Sequence, residues 1–135
     1  MSARPEPRSA AGPWLERAGS DLWMAEHALA AGADCPADAV AFHAQQCAEK
    51  SLKALLAAQG ADFPPTHDLL LLLRLAGAGG ALDLTAQDIL SLNRYAVEAR
   101  YPGVGEPITR AEAEAATALA RRVRAVVLAR LKIEG

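Results

Sequence analysis

The sequence is poor in aromatic and β-branched residues. Phe, Tyr and Trp together make up 4% of its 135 residues, and Val and Ile are sparse. No segment alternates apolar and polar residues with a period of two, which argues against strands. The three histidines, His27, His43 and His67, include no pair at metal-ligand spacing, so neither a metal nor a cofactor is expected. The two cysteines, Cys35 and Cys47, form no CxxC motif and are expected to be free thiols in a reducing cytoplasm. No excess of positive charge is present: the net charge is −2. That excludes wrapping of duplex nucleic acid by bulk charge and leaves only local basic patches. No apolar run approaches the roughly 18 residues needed to span a bilayer. The opening "MSARPEPRSAAGP" lacks the apolar core of a signal peptide. Residues 1–12 therefore read as a disordered lead-in to a single domain over residues 13–132. Nucleophile elbows, phosphate-binding loops, dinucleotide fingerprints and paired carboxylates are all missing from the sequence.

What is present is alanine and leucine, both strong helix formers. The chain predicts an all-α fold. Pro13 suits a first helical turn, and Trp14, Ala18, Asp21, Leu22, Ala25, Ala28 and Leu29 follow at helical spacing. A first helix is expected over about residues 13–31, stopped by Gly32. A second runs over about residues 36–59 to the breaker Gly60. Thr66 is the expected cap of a short third helix, with Asp68 in its first turn. Gly77, Gly79 and Gly80 end it. Thr85 caps a fourth helix that dissolves near "ARYPG". "TRAE" (Thr109–Glu112) is a capping box for a fifth, ending near Leu131. Short loops imply antiparallel neighbours. The expected product is an up-and-down antiparallel bundle of four long helices with one short extra helix.

The second helix has two distinct sides. Val40, Ala44, Cys47, Ala48, Ser51, Leu52, Leu55 and Leu56 form a core stripe at 100° per residue. Phe42, Gln46, Glu49 and Lys53 form a line on the other side. That line is either a solvated face with a Glu49–Lys53 pair, or an interface or cleft wall with Phe42 and Gln46 as contacts. His67 either fixes a helix start locally or works as an acid, base or phosphate-facing group. In "NRYAVEARYPG", Arg100 either bonds the last carbonyls of a helix or binds phosphate, with Tyr101 stacking on a base. Arg110, Arg121, Arg124 and Lys132 line the fifth helix. They read as a solvated face, with a cationic edge for RNA as the alternative.

Taken in order, the blocks "W…A…DL…A", "FHAQQCAEKSLKALL", "THDL" and "RYP" resemble the HEPN domain family over about Trp14 to Leu131. Gln46, Glu49, Lys50 and Lys53 match the family's QxxEKxxK block. His67 and Asp68 match its His-Asp block, and Arg100, Tyr101 and Pro102 its RYP block. The resemblance implies a helical bundle that commonly forms homodimers. It also implies a nucleotide-binding or partner module acting with a separate nucleotidyltransferase, as in toxin–antitoxin-like pairs. On that reading Gln46, Glu49, Lys50, Lys53, His67, Arg100 and Tyr101 are the candidate nucleotide-binding residues, and Tyr95 or Tyr101 would be a nucleotidyl acceptor. Ribonuclease members carry an arginine followed four to six residues later by histidine. No such pair occurs here, so the chain is expected not to be an enzyme. A degenerate metal-independent ribonuclease using Arg100 and His67 is one alternative. A purely structural helical dimer is the other.

Overall fold

A computed structural model describes residues 7–77, 82–99, 101, 103 and 105–132. The described residues are helical, with no strand among them. The elements are α1 (Pro7–Leu29), α2 (Ala37–Ala58), α3 (Leu69–Leu75), α4 (Ala86–Asn93) and α5 (Arg110–Leu131). Two 3-10 turns join them, Gly32–Asp34 after α1 and Arg94–Ala96 after α4.

α1 begins at Pro7, so residues 7–12, expected in a disordered lead-in, are helical and Pro13 lies inside the helix. The apolar stripe of α1 explains this. Ala11 is fully buried and continues the row Leu15, Ala18, Leu22, Ala25 one turn upstream. Packing of that turn outweighs the backbone bond that an internal proline removes. At the other end Gly32 takes φ +88° and turns the chain toward α2. Gly60, at φ +69°, does the same after α2.

α2 is the centre of the molecule. Its predicted core stripe, Val40 through Leu56, is buried. It runs antiparallel to α1: Ala25 clusters with Val40 at one end, while Lys53 lies over the Trp14 ring at the other. α5 runs parallel to α2, with Ala113 beside Val40 and Cys47 Sγ directed at the Ala120 carbonyl. Alanines at Ala18, Ala25, Ala41, Ala44, Ala48 and Ala116 are all buried where these helices meet. Their small side chains permit close axes. Each fully buried leucine, such as Leu52, Leu56, Leu72 or Leu92, adds about 1.5–3 kcal/mol.

Helix lengths differ from expectation. α1, α2 and α5 have 23, 22 and 22 residues, but α4 has only 8 and α3 has 7. The bundle thus has three long helices and two short ones. α4 passes at Asn93 into the 3-10 turn Arg94–Ala96, and the Asn93 side chain is used across the chain. Its Oδ1 accepts from Leu69 N at 2.8 Å, and its Nδ2 donates to Asp68 Oδ1 at 2.9 Å. The cap of α3 also differs. Asp68, not Thr66, is the N-cap, accepting from Leu70 N and Leu71 N. Thr66 Oγ1 instead accepts from Asp68 N. Thr85 and Thr109 cap α4 and α5 as expected, on Asp88 N and Glu112 N. Among the described residues, no helix is long and apolar enough to cross a membrane.

Candidate functional site

The polar line of α2 is not solvated. Glu49 and Lys53 are 3% and 7% exposed, and Gln45 beside them is completely buried. A carboxylate this deep must be paired and hydrogen-bonded. Glu49 is both. Lys53 Nζ lies 3.1 Å from its Oε2. Its Oε1 receives His67 Nδ1 at 2.8 Å, with the Gln45 and Gln46 amides at 3.3 and 3.4 Å. Gln46 also donates to Gln45 Oε1 at 2.7 Å, and Gln45 to the His67 carbonyl at 3.2 Å. The loop after α2 is therefore tied to the helix at both the backbone and the side chain of His67.

Aromatic rings close the cluster. Lys53 Nζ is 5.5 Å from the Trp14 ring centroid, and Trp14 meets Phe63 edge-on at 5.9 Å. The indole face adds a cation–π attraction to the buried ammonium. His67 is the outlet of this cluster, with its side chain 58% exposed. Glu49 holds Nδ1, which fixes the ring and leaves Nε2 to a shallow groove lined by His67, Asp68, Asn93, Arg94, Ala96 and Val97. The hydrogen bond from Asn93, with those from Leu71 N and Leu70 N, holds the Asp68 carboxyl below its ordinary range.

Four of the sequence candidates therefore meet: Gln46, Glu49, Lys53 and His67. Lys50 does not join them. Its Nζ lies 2.6 Å from Asp21 Oδ2 on α1, and His43 Nδ1 reaches Asp21 Oδ1 at 2.8 Å. Phe42 is half-buried with its ring edge-on to His43. Arg100 and Pro102 lie outside the described residues. Tyr101 stands apart and 53% exposed, on a groove of about 570 Å³ lined by Cys35, Asp38, Glu98, Glu106 and Ile108 among others. Tyr95 is the opposite case. It is buried, with its hydroxyl donating to Glu112 Oε2 at 3.0 Å, and burial followed by that bond pushes its phenol up to about 12. Arg94 sits between Glu98 and Glu112, at 2.9 and 2.7 Å. Two of the four α5 cations read from the sequence are paired, Arg110 with Glu114 and Arg121 with Glu26, and the guanidinium of Arg110 also caps the Leu29 and Gly32 carbonyls. The Arg124 Nε, by contrast, is buried with no hydrogen-bond partner among the described residues.

Sequence reasoning passed over Gln45, Asp21 and Asn93. Gln45 and Glu49 stand four apart, the spacing at which helix side chains hydrogen-bond. Asp21 sits inside the apolar stripe of α1, a sign of a buried, partnered carboxylate. Nothing local marks Asn93, whose partners lie 24 and 25 residues away. No cluster of three or more His, Cys, Asp or Glu side chains able to hold a metal occurs among the described residues.

Comparison with known proteins places the fold. The HEPN domain model matches residues 11–131. The crystal structure of TT1696 from Thermus thermophilus superposes with a TM-score of 0.72 at 32% identity, covering 87% of this chain and 94% of that one. ST0689, described as an archaeal HEPN homologue, superposes with a TM-score of 0.68 at 26% identity, covering 90% of this chain and 97% of that one. No functionally curated protein matches the chain.

Proposed function

This chain belongs to the HEPN domain family, and from that premise we propose that it is a non-catalytic nucleotide-binding or partner module. It acts in the cytoplasm with a separate nucleotidyltransferase, as one half of a two-component, toxin–antitoxin-like pair. The supporting observation is where the signature charges go. Lys53 is committed to Glu49 and Lys50 to Asp21, so neither ammonium is free to take a phosphate. The block shapes the surface around His67 instead of reacting. The carboxylates of Asp38, Glu98 and Glu106 beside Tyr101 favour a cationic partner surface over the phosphates of a free nucleotide. Of the two tyrosines, Tyr101 is the accessible nucleotidyl acceptor, since the Tyr95 hydroxyl is buried on Glu112. Affinity purification of the native complex is expected to bring down a nucleotidyltransferase. Peptide mass spectrometry after incubation with that enzyme and ATP is expected to place any adduct on Tyr101. If no transferase co-purifies and calorimetry with nucleotides shows no heat, this function is wrong.

One observation favours a second reading, the degenerate ribonuclease. Glu49 orients the His67 imidazole with Nε2 outward, as an acid–base catalyst requires. Metal-free cleavage of single-stranded RNA that disappears in both His67→Ala and Arg100→Ala would establish it. No cleavage is the outcome expected here.

A further inference from the structure

Asp68 is a carboxylate with half of its capacity unused. Its hydrogen bonds, from Asn93 Nδ2 at 2.9 Å, Leu70 N at 3.1 Å and Leu71 N at 3.4 Å, all land on Oδ1. Among the described residues no donor reaches Oδ2. The residue before it supplies a second acceptor. Glu49 can only accept from His67 Nδ1, so the neutral ring keeps its proton there and offers an Nε2 lone pair outward. Both residues line one groove of about 330 Å³, with Asn93, Arg94, Ala96 and Val97. The Asn93 side chain is spent on Leu69 N and Asp68. The Arg94 guanidinium is held by Glu98 and Glu112. Val97 is 55% exposed and gives the groove an apolar wall.

We propose that this groove is a socket for a guanidinium, the side chain of an arginine on the transferase partner. A guanidinium is a planar fork whose N–H donors can meet two acceptors at once, whereas an ammonium acts as a point charge. One donor goes to Asp68 Oδ2 and another to His67 Nε2. The methylene stem lies along Val97 and Ala96. A phosphate is the wrong ligand, because the Asp68 charge repels it. Both acceptors are held in place before the ligand arrives: Glu49 sets the ring and Asn93 sets the carboxylate. The socket also adjoins the Tyr101 groove. Ala96 and Val97 line the one, and Glu98, Ala99 and Tyr101 continue into the other. A basic partner surface laid on this segment reaches from His67 to Tyr101 and meets carboxylates along its length. The owner of the arginine rests on the partnership proposed above. The socket itself does not.

Nuclear magnetic resonance titration of the full chain with N-acetylarginine amide tests the socket without any partner. The backbone amide signals of His67, Asp68 and Val97 are expected to shift saturably. N-acetyllysine amide, which lacks the fork, should bind at least about fivefold more weakly. Val97→Lys, at an exposed position away from the α3 cap, should weaken arginine binding about tenfold with the helical circular dichroism unchanged. Asp68→Asn should weaken it by a similar factor. No saturable shift, equal affinity for the two amides, or a Val97→Lys chain that binds like the wild type overturns the proposal. So does tighter binding of guanosine monophosphate at the same signals, which would make the groove a nucleobase site. Affinity purification of the native complex separates socket from partnership. A transferase recovered with the wild type and about tenfold less with Val97→Lys supports both. Equal recovery overturns the docking role and leaves the partnership standing. No recovery removes the partnership and the owner of the arginine, while the titration still decides the socket.

Discussion

At the scale of the residue, the decisive pair is Glu49 with Lys53. Both are buried, and each is the other's counter-ion. Lys53→Met is expected to destabilise the fold by about 3–5 kcal/mol, because it leaves the Glu49 carboxylate short of its counter-ion. Glu49→Gln in the Lys53→Met background should recover much of that loss. Chemical denaturation of the wild type, the two single variants and the double variant measures the coupling. The QxxEKxxK spacing was visible in the sequence, and so was the i,i+4 pairing. Burial was not. A helical wheel separates two polar-tolerant sides but does not say which is covered. The Glu49 side is covered because the loop carrying Phe63 and His67 folds back over it.

Among the elements, starts and stops were the most legible feature. Thr85, Thr109, Gly32 and Gly60 act through their own backbone and near neighbours, so local sequence suffices. The failures are non-local. Thr66 and Asp68 are both good caps, and Asp68 prevails through its bond to Asn93, 25 residues on. Pro13 looked like a helix start, but burial of Ala11 extends α1 past it. The α3 cap also sets a pH dependence. Asp68 is held below its ordinary range in the folded state, so its contribution is fully present above the unfolded-state value of about 3.9. It is lost as pH falls through the lower folded-state value. Asp68→Asn should lower stability at neutral pH and flatten the acid limb of the stability profile. Thermal melts from pH 7 down to about 2 would read both effects.

For the whole molecule, helix count and an all-α fold followed from composition and periodicity. The central position of α2 did not, because it depends on which apolar stripes face one another. Half of the candidate site was legible as a motif. The remainder, Gln45 and Asn93 above all, is assembled by folding. The same central position gives the molecule a chemical clock. Cys47 sits in the middle of α2 with its thiol buried against α5, and burial pushes that thiol up to about 12. A thiol in that state does not react while the helices stay packed. Cys35, half-buried outside the core, is expected to alkylate first and serve as the reference. The iodoacetamide labelling rate of Cys47, followed by peptide mass spectrometry, should then track opening of the entire bundle and accelerate with denaturant. Labelling of Cys47 at the rate of Cys35 in the native protein would mean that α2 and α5 separate far more readily than their packing implies. The residue at the centre of the fold thus records, one molecule at a time, how often the fold comes apart.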